Sequence, residues 1–311
     1  MTRGRYAPSP TGQLHLGNAR TALVAYWQAR TRGGTFVTRV EDLDSARCKP
    51  ELVGVNLDEL RWLGLDWDEG PDVGGPHAPY LQSERHALYE RAFKVLKAGG
   101  HLFPCYLSRR ELREIASAPH GQMPHYGAAE RALNERVTSQ KRSQGKRPSW
   151  RFQVDEPTMF FKDALQGEQR LDLGDFIVKR ADGEWAYQLA VVVDDSAMNV
   201  SEVVRGDDLL QSTAAQLLLY RALGKAPPSF LHVPLLNAQG ERMAKRKGSL
   251  TLTTLRERGV RPERVVGLLA YTLGLLPQPE EMSVQDGLNL YTPSALSAKP
   301  FSLSEELAWL T

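Results

Sequence analysis

The first 40 residues constrain the fold of this chain more than any other stretch. Residues 3–7 (RGRYA) form a short β-type run, followed by the turn-rich loop Pro8-Ser9-Pro10-Thr11-Gly12. From Leu16 the apolar residues Leu16, Ala19, Leu23, Tyr26 and Trp27 recur at helical spacing, and Gly33-Gly34 closes that helix. Residues 35–40 (TFVTRV) are β-type again. Strand, glycine-containing loop, helix, strand is a βαβ unit, and it predicts an α/β fold built on a parallel sheet.

The rest of the chain extends that pattern. A second amphipathic helix is predicted with Leu52, Val55, Leu60 and Leu63 inward. A Gly/Pro loop over 70–79 precedes a helix over 83–96, and an extended run follows at 103–107. Residues 119–150 are rich in Gly, Pro, Ser and charge and read as a loop-dominated insertion. Asp182-Gly183 predicts a hairpin turn between DFIVKR and EWAYQLA, and residues 190–193 predict a continuous apolar strand of the buried parallel kind. Val203-Val204, a helix over 211–223 and a strand over 230–236 complete a second α/β half. After Leu250 the tail is predicted mostly helical, with Val265, Val266, Leu268, Leu269 and Leu273 on one apolar face.

Composition excludes more than it identifies. Lys plus Arg number 39 against 37 acidic residues, so bulk charge gives no argument for a nucleic-acid partner and only a local basic face would supply one. The densest basic stretches are Lys141, Arg142, Lys146, Arg147 and Arg151, and then Arg242, Lys245, Arg246 and Lys247. The first reads equally as a solvated loop or as a nucleic-acid contact. No apolar run approaches the ~20 residues of a membrane span, and MTRGRYAPSP has no apolar signal core. Cys48 and Cys105 cannot build a disulfide framework and fit a reducing cytoplasm.

Four stretches carry chemistry. In the first, Arg5, Ser9 and His15-Leu16-Gly17-Asn18 span the junction of strand one and the first long helix. Free backbone N–H groups and the helix dipole there favour anions, Gly17 admits close approach of a nucleotide, and His15 can donate to phosphate oxygens. A lone histidine at a helix start is more often a cap, and the surrounding βαβ unit raises the functional reading. The second is Arg242-Met243-Ala244-Lys245-Arg246 on a polar loop, where a lysine can close over a triphosphate; the same residues alone would read as a solvated basic loop. The third, residues 38–44 (TRVEDLD), places Glu41 at a strand end suited to an ammonium group, or equally to surface charge. In the fourth, Tyr187 to Asp195 precede Arg205, which at a strand end can hold a carboxylate bidentately.

The first and second stretches, in this order and at opposite ends of an α/β region, resemble the HIGH and KMSKS signatures of class I aminoacyl-tRNA synthetases. RYAPSPTGQLHLGNARTAL, TRVEDLD and WDEGPDVGG…QSER resemble the glutamyl branch. DFIVKRADGEWAYQLAVVVDD and VVRGDDLL are most similar to its short glutamyl-queuosine paralogues. The likeness runs from about residue 3 to about residue 275. It implies a Rossmann-like parallel sheet in two halves (1–104 and 187–240), an inserted α+β connective subdomain (105–186), a KMSKS-like loop with helical stem region (241–311), and no anticodon-binding domain.

The resemblance also implies roles. Arg5, Ser9, Glu41, Tyr187 and Arg205 would bind glutamate, while His15, Gly17, Asn18 and Lys245 would line the ATP site, with His15 and Lys245 catalytic. Mg²⁺ would arrive with ATP. The implied acceptor is queuosine in the anticodon of tRNA(Asp), and the enzyme is expected to be cytoplasmic and monomeric. Many short paralogues carry zinc on a Cys-x-Cys pair and a later Tyr…Cys. Here Cys105 takes the first position but Leu107 the second, and Ala128 or Ala129 stands where the later cysteine would be near Tyr126, so zinc is not expected. Arg242 and Ala244 depart from the usual loop. The alternatives weighed are a minimal glutamyl-tRNA(Glu) synthetase, a non-catalytic tRNA-binding paralogue and another nucleotidylyl transferase.

Overall fold

The computed structural model describes residues 2–108, 111, 126–238, 241–242 and 250–310. Strand β1 (Arg3–Tyr6) leads through helix α1 (Leu16–Arg30) to β2 (Thr35–Thr38), as the βαβ reading predicts. Helices α2 (Glu51–Leu63) and α3 (His86–Ala98) follow, then β3 (Leu102–Cys105), α4 (Ala128–Ser143), β4 (Ser149–Phe152), β5 (Thr158–Asp163), β6 (Gly167–Asp172) and β7 (Phe176–Lys179). The chain continues with α5 (Tyr187–Ala197), β8 (Glu202–Gly206), α6 (Leu210–Ala222), β9 (Ser229–Val233), β10 (Leu236–Ala238) and β11 (Glu241–Arg242). It closes with α7 (Leu252–Glu257), α8 (Pro262–Thr272), α9 (Val284–Leu290) and β12 (Phe301–Leu303).

The central sheet has the order β2-β1-β8-β9, and every pairing in it is parallel. Successive side chains of a strand face opposite sides, and both sides are dry here. Phe36, Val204 and Leu231 enter an apolar cluster with α1, α2 and α8, whereas their neighbours Val37, Val203 and Phe230 enter a second cluster with α3, α5 and α6. Helix α1 is buried almost all round because it lies between the sheet and the C-terminal helices, where Trp27 Nε1 donates to the Val284 carbonyl at 2.8 Å.

Residues 105–186 hold most of an antiparallel sheet β3-β4-β7 and the hairpin β5-β6. The hairpin is tied to the parallel sheet where Ala164 N donates to the Phe230 carbonyl at 2.9 Å.

Several expectations are corrected. Residues 190–193 lie in helix α5, not in a strand: a continuous apolar run has no period to separate the two, and full burial of the helix removes its polar face. The stretch 119–150 contains a 16-residue helix, α4, whose start is capped by Glu130 accepting from Gly127 N. Polar groups dock α4, notably Arg131 on Asp175 and Asn134 on the Pro104 carbonyl, so no apolar stripe announces it. After Asp182-Gly183 the second hairpin arm is a single bridge, Lys179 with Trp185, before α5 begins. The strand over 230–236 stops at Val233 because Pro234 has no N–H to donate. Leu57 replaces Leu52 and Val55 among the fully buried residues of α2. The tail includes β12, which pairs in parallel with β10. Two of the five basic residues in the first stretch turn inward: Lys141 is bound to Glu111 at 2.5 Å and Arg151 lies over the Tyr126 ring.

Candidate active site

Parallel sheets open at their carboxyl ends, and one cleft of about 780 Å³ lies there. Arg5, Ser9, His15, Gly17, Asn18, Glu41, Tyr187 and Arg205 all line it. The loop after β1 reaches Glu41 through two backbone bonds: Arg39 N to the Tyr6 carbonyl at 3.0 Å and Glu41 N to the Pro8 carbonyl at 2.9 Å. The third and first motifs therefore continue the β1–β2 pairing past the sheet, which sets Glu41 near Ser9. Lys245 lies outside the described residues, as does the rest of its loop from 243 to 249.

His15 caps α1. Its Nδ1 accepts from Gly17 N at 3.1 Å and Asn18 N at 3.3 Å, while Asn18 Oδ1 accepts from His15 N at 3.1 Å. The capping and catalytic readings of this histidine are thus compatible. With Nδ1 accepting, the neutral ring carries its proton on Nε2 and retains one donor. Burial holds the His15 pKa below its ordinary value, so the neutral form prevails at pH 7. Two first-turn N–H groups expected to face an anion are instead satisfied by the ring.

The acidic and basic side chains form a graded network. Arg39, fully buried, donates to Asp195 Oδ1 at 2.6 Å and to Glu41 Oε1 at 3.1 Å. Arg5 donates to the Val204 carbonyl at 3.1 Å and reaches Asp195 at 3.4 Å. Burial would raise the Asp195 carboxyl, but Arg39 and Arg5 hold it below its ordinary value. Glu41 is raised, because burial outweighs the same arginines. Asp194, behind Asp195, binds Arg85 at 2.6 Å, Gln82 at 2.7 Å and Tyr89 at 2.9 Å.

Arg205 is held from three sides. Its Nε donates to His232 Nε2 at 3.1 Å, Nη2 to Thr213 Oγ1 at 2.7 Å, and Nη1 points to Tyr187 Oη at 3.5 Å. Asp163 and His232 are absent from the sequence reading; a histidine inside the strand-like run FLHVPLL was the available signal. Glu59 was also missed. Its carboxylate joins Leu14 N at 2.8 Å to Thr253 N at 3.0 Å, beside the His15 end of the cleft. Cys105, in turn, is buried with Leu107 and Tyr126, its Sγ 3.4 Å from Tyr126 Oη. Among the described residues no group of three or more His, Cys, Asp and Glu is arranged to hold a metal ion.

A helix-capping His-x-Gly, a parallel sheet and a cleft across its carboxyl edge together define a class I aminoacyl-tRNA synthetase catalytic domain. Residues 1–300 match the family described as tRNA synthetases class I (E and Q), catalytic domain, and the chain belongs to that family. It is 50% identical to a glutamyl-Q tRNA(Asp) synthetase of Symbiobacterium thermophilum, covering 98% of this chain and 97% of that one. It is 40% identical to a glutamate–tRNA ligase of Heliobacterium modesticaldum, covering 99% of this chain but 64% of that one. The crystal structure of a glutamate tRNA ligase from Elizabethkingia meningosepticum in complex with its amino acid superposes with TM-score 0.84 at 27% identity, over 99% of this chain and 68% of that one. Class I synthetases use ATP.

Proposed function

We propose that this chain activates glutamate with ATP, releasing pyrophosphate, and transfers the glutamyl group to queuosine in the anticodon of tRNA(Asp). The observation that carries the amino-acid assignment is a match of charge. Glutamate has two carboxylates and one ammonium; the residues lining the cleft include two arginines, Arg5 and Arg205, and Glu41, whose second carboxylate oxygen is not taken by Arg39. Ser9 and Tyr187 supply hydroxyls between them. His15 donates Nε2–H to the phosphates, Gly17 and Asn18 shape the nucleotide end, and Lys245 stabilises charge on the phosphates as the adenylate forms. Mg²⁺ accompanies ATP and screens its phosphates.

In the transfer step a cyclopentene hydroxyl of queuosine attacks the adenylate carbonyl and AMP leaves. Attack on a mixed anhydride needs mainly positioning. The choice of tRNA(Asp) is supported by relatives bearing that name at 50% and 46% identity. Residues 105–186 would form the connective subdomain that meets the tRNA, and the enzyme would act as a cytoplasmic monomer. Among the described residues no helix is long and apolar enough to cross a membrane.

The test is charging of queuosine-containing tRNA(Asp), queuosine-free tRNA(Asp) and tRNA(Glu) with labelled glutamate, alongside glutamate-dependent pyrophosphate exchange without tRNA. Label on the queuosine-containing tRNA alone, with exchange present, is expected. Label on tRNA(Glu) alone would instead make the chain a minimal glutamyl-tRNA(Glu) synthetase.

A further inference from the structure

We infer that Asp163 and His232 are positioning residues that set the proton on one imidazole nitrogen and thereby aim Arg205 at the substrate carboxylate. The inference rests on the reading that Arg205 binds a glutamate carboxylate, and it adds how the chain keeps that arginine in place.

An arginine Nε–H only donates. Since Arg205 Nε lies 3.1 Å from His232 Nε2, that nitrogen must present its lone pair. The ring proton therefore sits on Nδ1, which donates to Asp163 Oδ2 at 2.6 Å. Both side chains are fully buried, so no water can take over either role. Asp163 in turn has no freedom to rotate: its Oδ1 accepts from Leu165 N at 3.0 Å, Gln166 N at 2.8 Å and His232 N at 3.2 Å. Thr213 Oγ1 accepts from Arg205 Nη2 and stands 3.1 Å from the same His232 Nε2, closing the ring of contacts.

With Nε and one hydrogen of Nη2 engaged, the guanidinium edge towards Tyr187 is left for a carboxylate. Asp163 ends strand β5 of the inserted hairpin and His232 lies in β9 of the parallel sheet. Residues from two separate sheets thus meet behind the one arginine.

The fixed carboxylate makes a sharp test possible. In Asp163→Asn the amide oxygen stays with the three backbone N–H groups, so the NH₂ replaces Oδ2 and faces Nδ1. The ring then accepts at Nδ1 and carries its proton on Nε2, where it confronts Arg205 Nε–H, donor against donor. Shape is unchanged and only the proton moves. In His232→Gln an amide oxygen takes the Nε2 position as an acceptor whatever residue 163 is, and His232→Leu offers no acceptor.

The measurements are the dissociation constant for L-glutamate by calorimetry, the KM values for glutamate and ATP in pyrophosphate exchange, and the melting temperature. Asp163→Asn is expected to weaken glutamate roughly ten- to hundredfold, as loss of a buried bond to a charged group does, while the KM for ATP changes less than about twofold. In the His232→Gln background the same Asp163→Asn change is expected to have almost no further effect. Should Asp163→Asn fail to fold, His232→Gln against His232→Leu asks the same question, with glutamate retained by the first and lost by the second.

Unchanged glutamate affinity in folded Asp163→Asn, equal losses for ATP and glutamate, or equal behaviour of His232→Gln and His232→Leu would each overturn the relay. Arg205→Ala is the control. If it binds glutamate normally, the reading of Arg205 fails and the relay fails with it. If Arg205→Ala loses glutamate and Asp163→Asn does not, the relay alone is overturned.

Discussion

The guanidinium of Arg39 donates to Asp195 Oδ1 at 2.6 Å with neither side chain open to solvent, directly beneath the carboxylate of Glu41. A buried pair of this kind costs much desolvation, and its removal leaves the partner charge stranded. Arg39→Met is expected to destabilise the fold by about 3–5 kcal/mol, because among the described residues the hydrogen bond left to the Asp195 carboxylate is the longer one from Arg5. Arg39→Met combined with Asp195→Leu should recover part of that loss. Urea denaturation of the single and double variants measures it, and equal stability of wild type and Arg39→Met would refute the structural weight given to the pair.

Glu59 ties together the two walls at the His15 end of the cleft, where the nucleotide is proposed to bind. One oxygen accepts from Leu14 N, next to His15, while the other accepts from Thr253 N and from Thr253 Oγ1 at 2.6 Å. Leu252 N also donates to the Leu14 carbonyl at 2.8 Å. Glu59→Ala leaves Leu14 N unpaired in a buried place and the Thr253 donors unpaired in a half-buried one, an expected cost of about 1–3 kcal/mol. Because the contact holds the His15 wall and not the arginine wall, the KM for ATP should rise severalfold while that for glutamate stays within about twofold. Pyrophosphate exchange with each substrate varied in turn gives both numbers.

What could be read from the chain follows from how far each signal reaches along it. The βαβ unit was legible because strand, loop and helix are contiguous, and Leu16, Ala19 and Leu23 repeat within one helix. Helix α5 was not, since burial on every side erases the amphipathic period that separates helix from strand. Helix α4 escaped because Arg131, Asn134 and Lys141 dock it through polar bonds. Among the site residues, Arg5, His15, Glu41 and Arg205 sit in motifs with local neighbours. Asp163 and His232 meet across 69 residues, and nothing near either one names the other.

Acid should weaken the fold by way of its buried histidines. Burial holds His232 below its ordinary pKa, with Arg205 adding to this and Asp163 opposing it; His15 is lowered by burial alone. In the unfolded chain both take up a proton as the pH falls through ~6.5, while the folded state resists it. The unfolded state then binds more protons, so stability decreases as the pH falls below that value, by at most about 1.4 kcal/mol per pH unit for each histidine. Asp195, held low by Arg39 and Arg5 against burial, contributes stability that is present above its unfolded value and lost only at lower pH still. Melting temperatures between pH 7.5 and 5.0 should decline, and His232→Gln should shallow the slope. A pH-independent melting temperature would contradict the neutral assignment.

Gly17 offers a separation of stability from catalysis. A Cβ there would stand 3.0 Å from His15 Cε1 and 3.1 Å from Nδ1, too tight for the ring to stay where it caps the helix. Alanine also suits a helix better than glycine, by up to about 1 kcal/mol. Gly17→Ala is therefore expected to melt close to wild type, the helix gain offsetting a disturbed cap, while displacing the imidazole by a few tenths of an ångström. If His15 Nε2–H serves the phosphates as proposed, adenylation should slow by at least about tenfold, since donors aimed at developing charge act only when aligned. Exchange rate and melting temperature measured on the same preparation decide it. A variant that is both stable and fully active would show that the ring's position does not govern the chemistry.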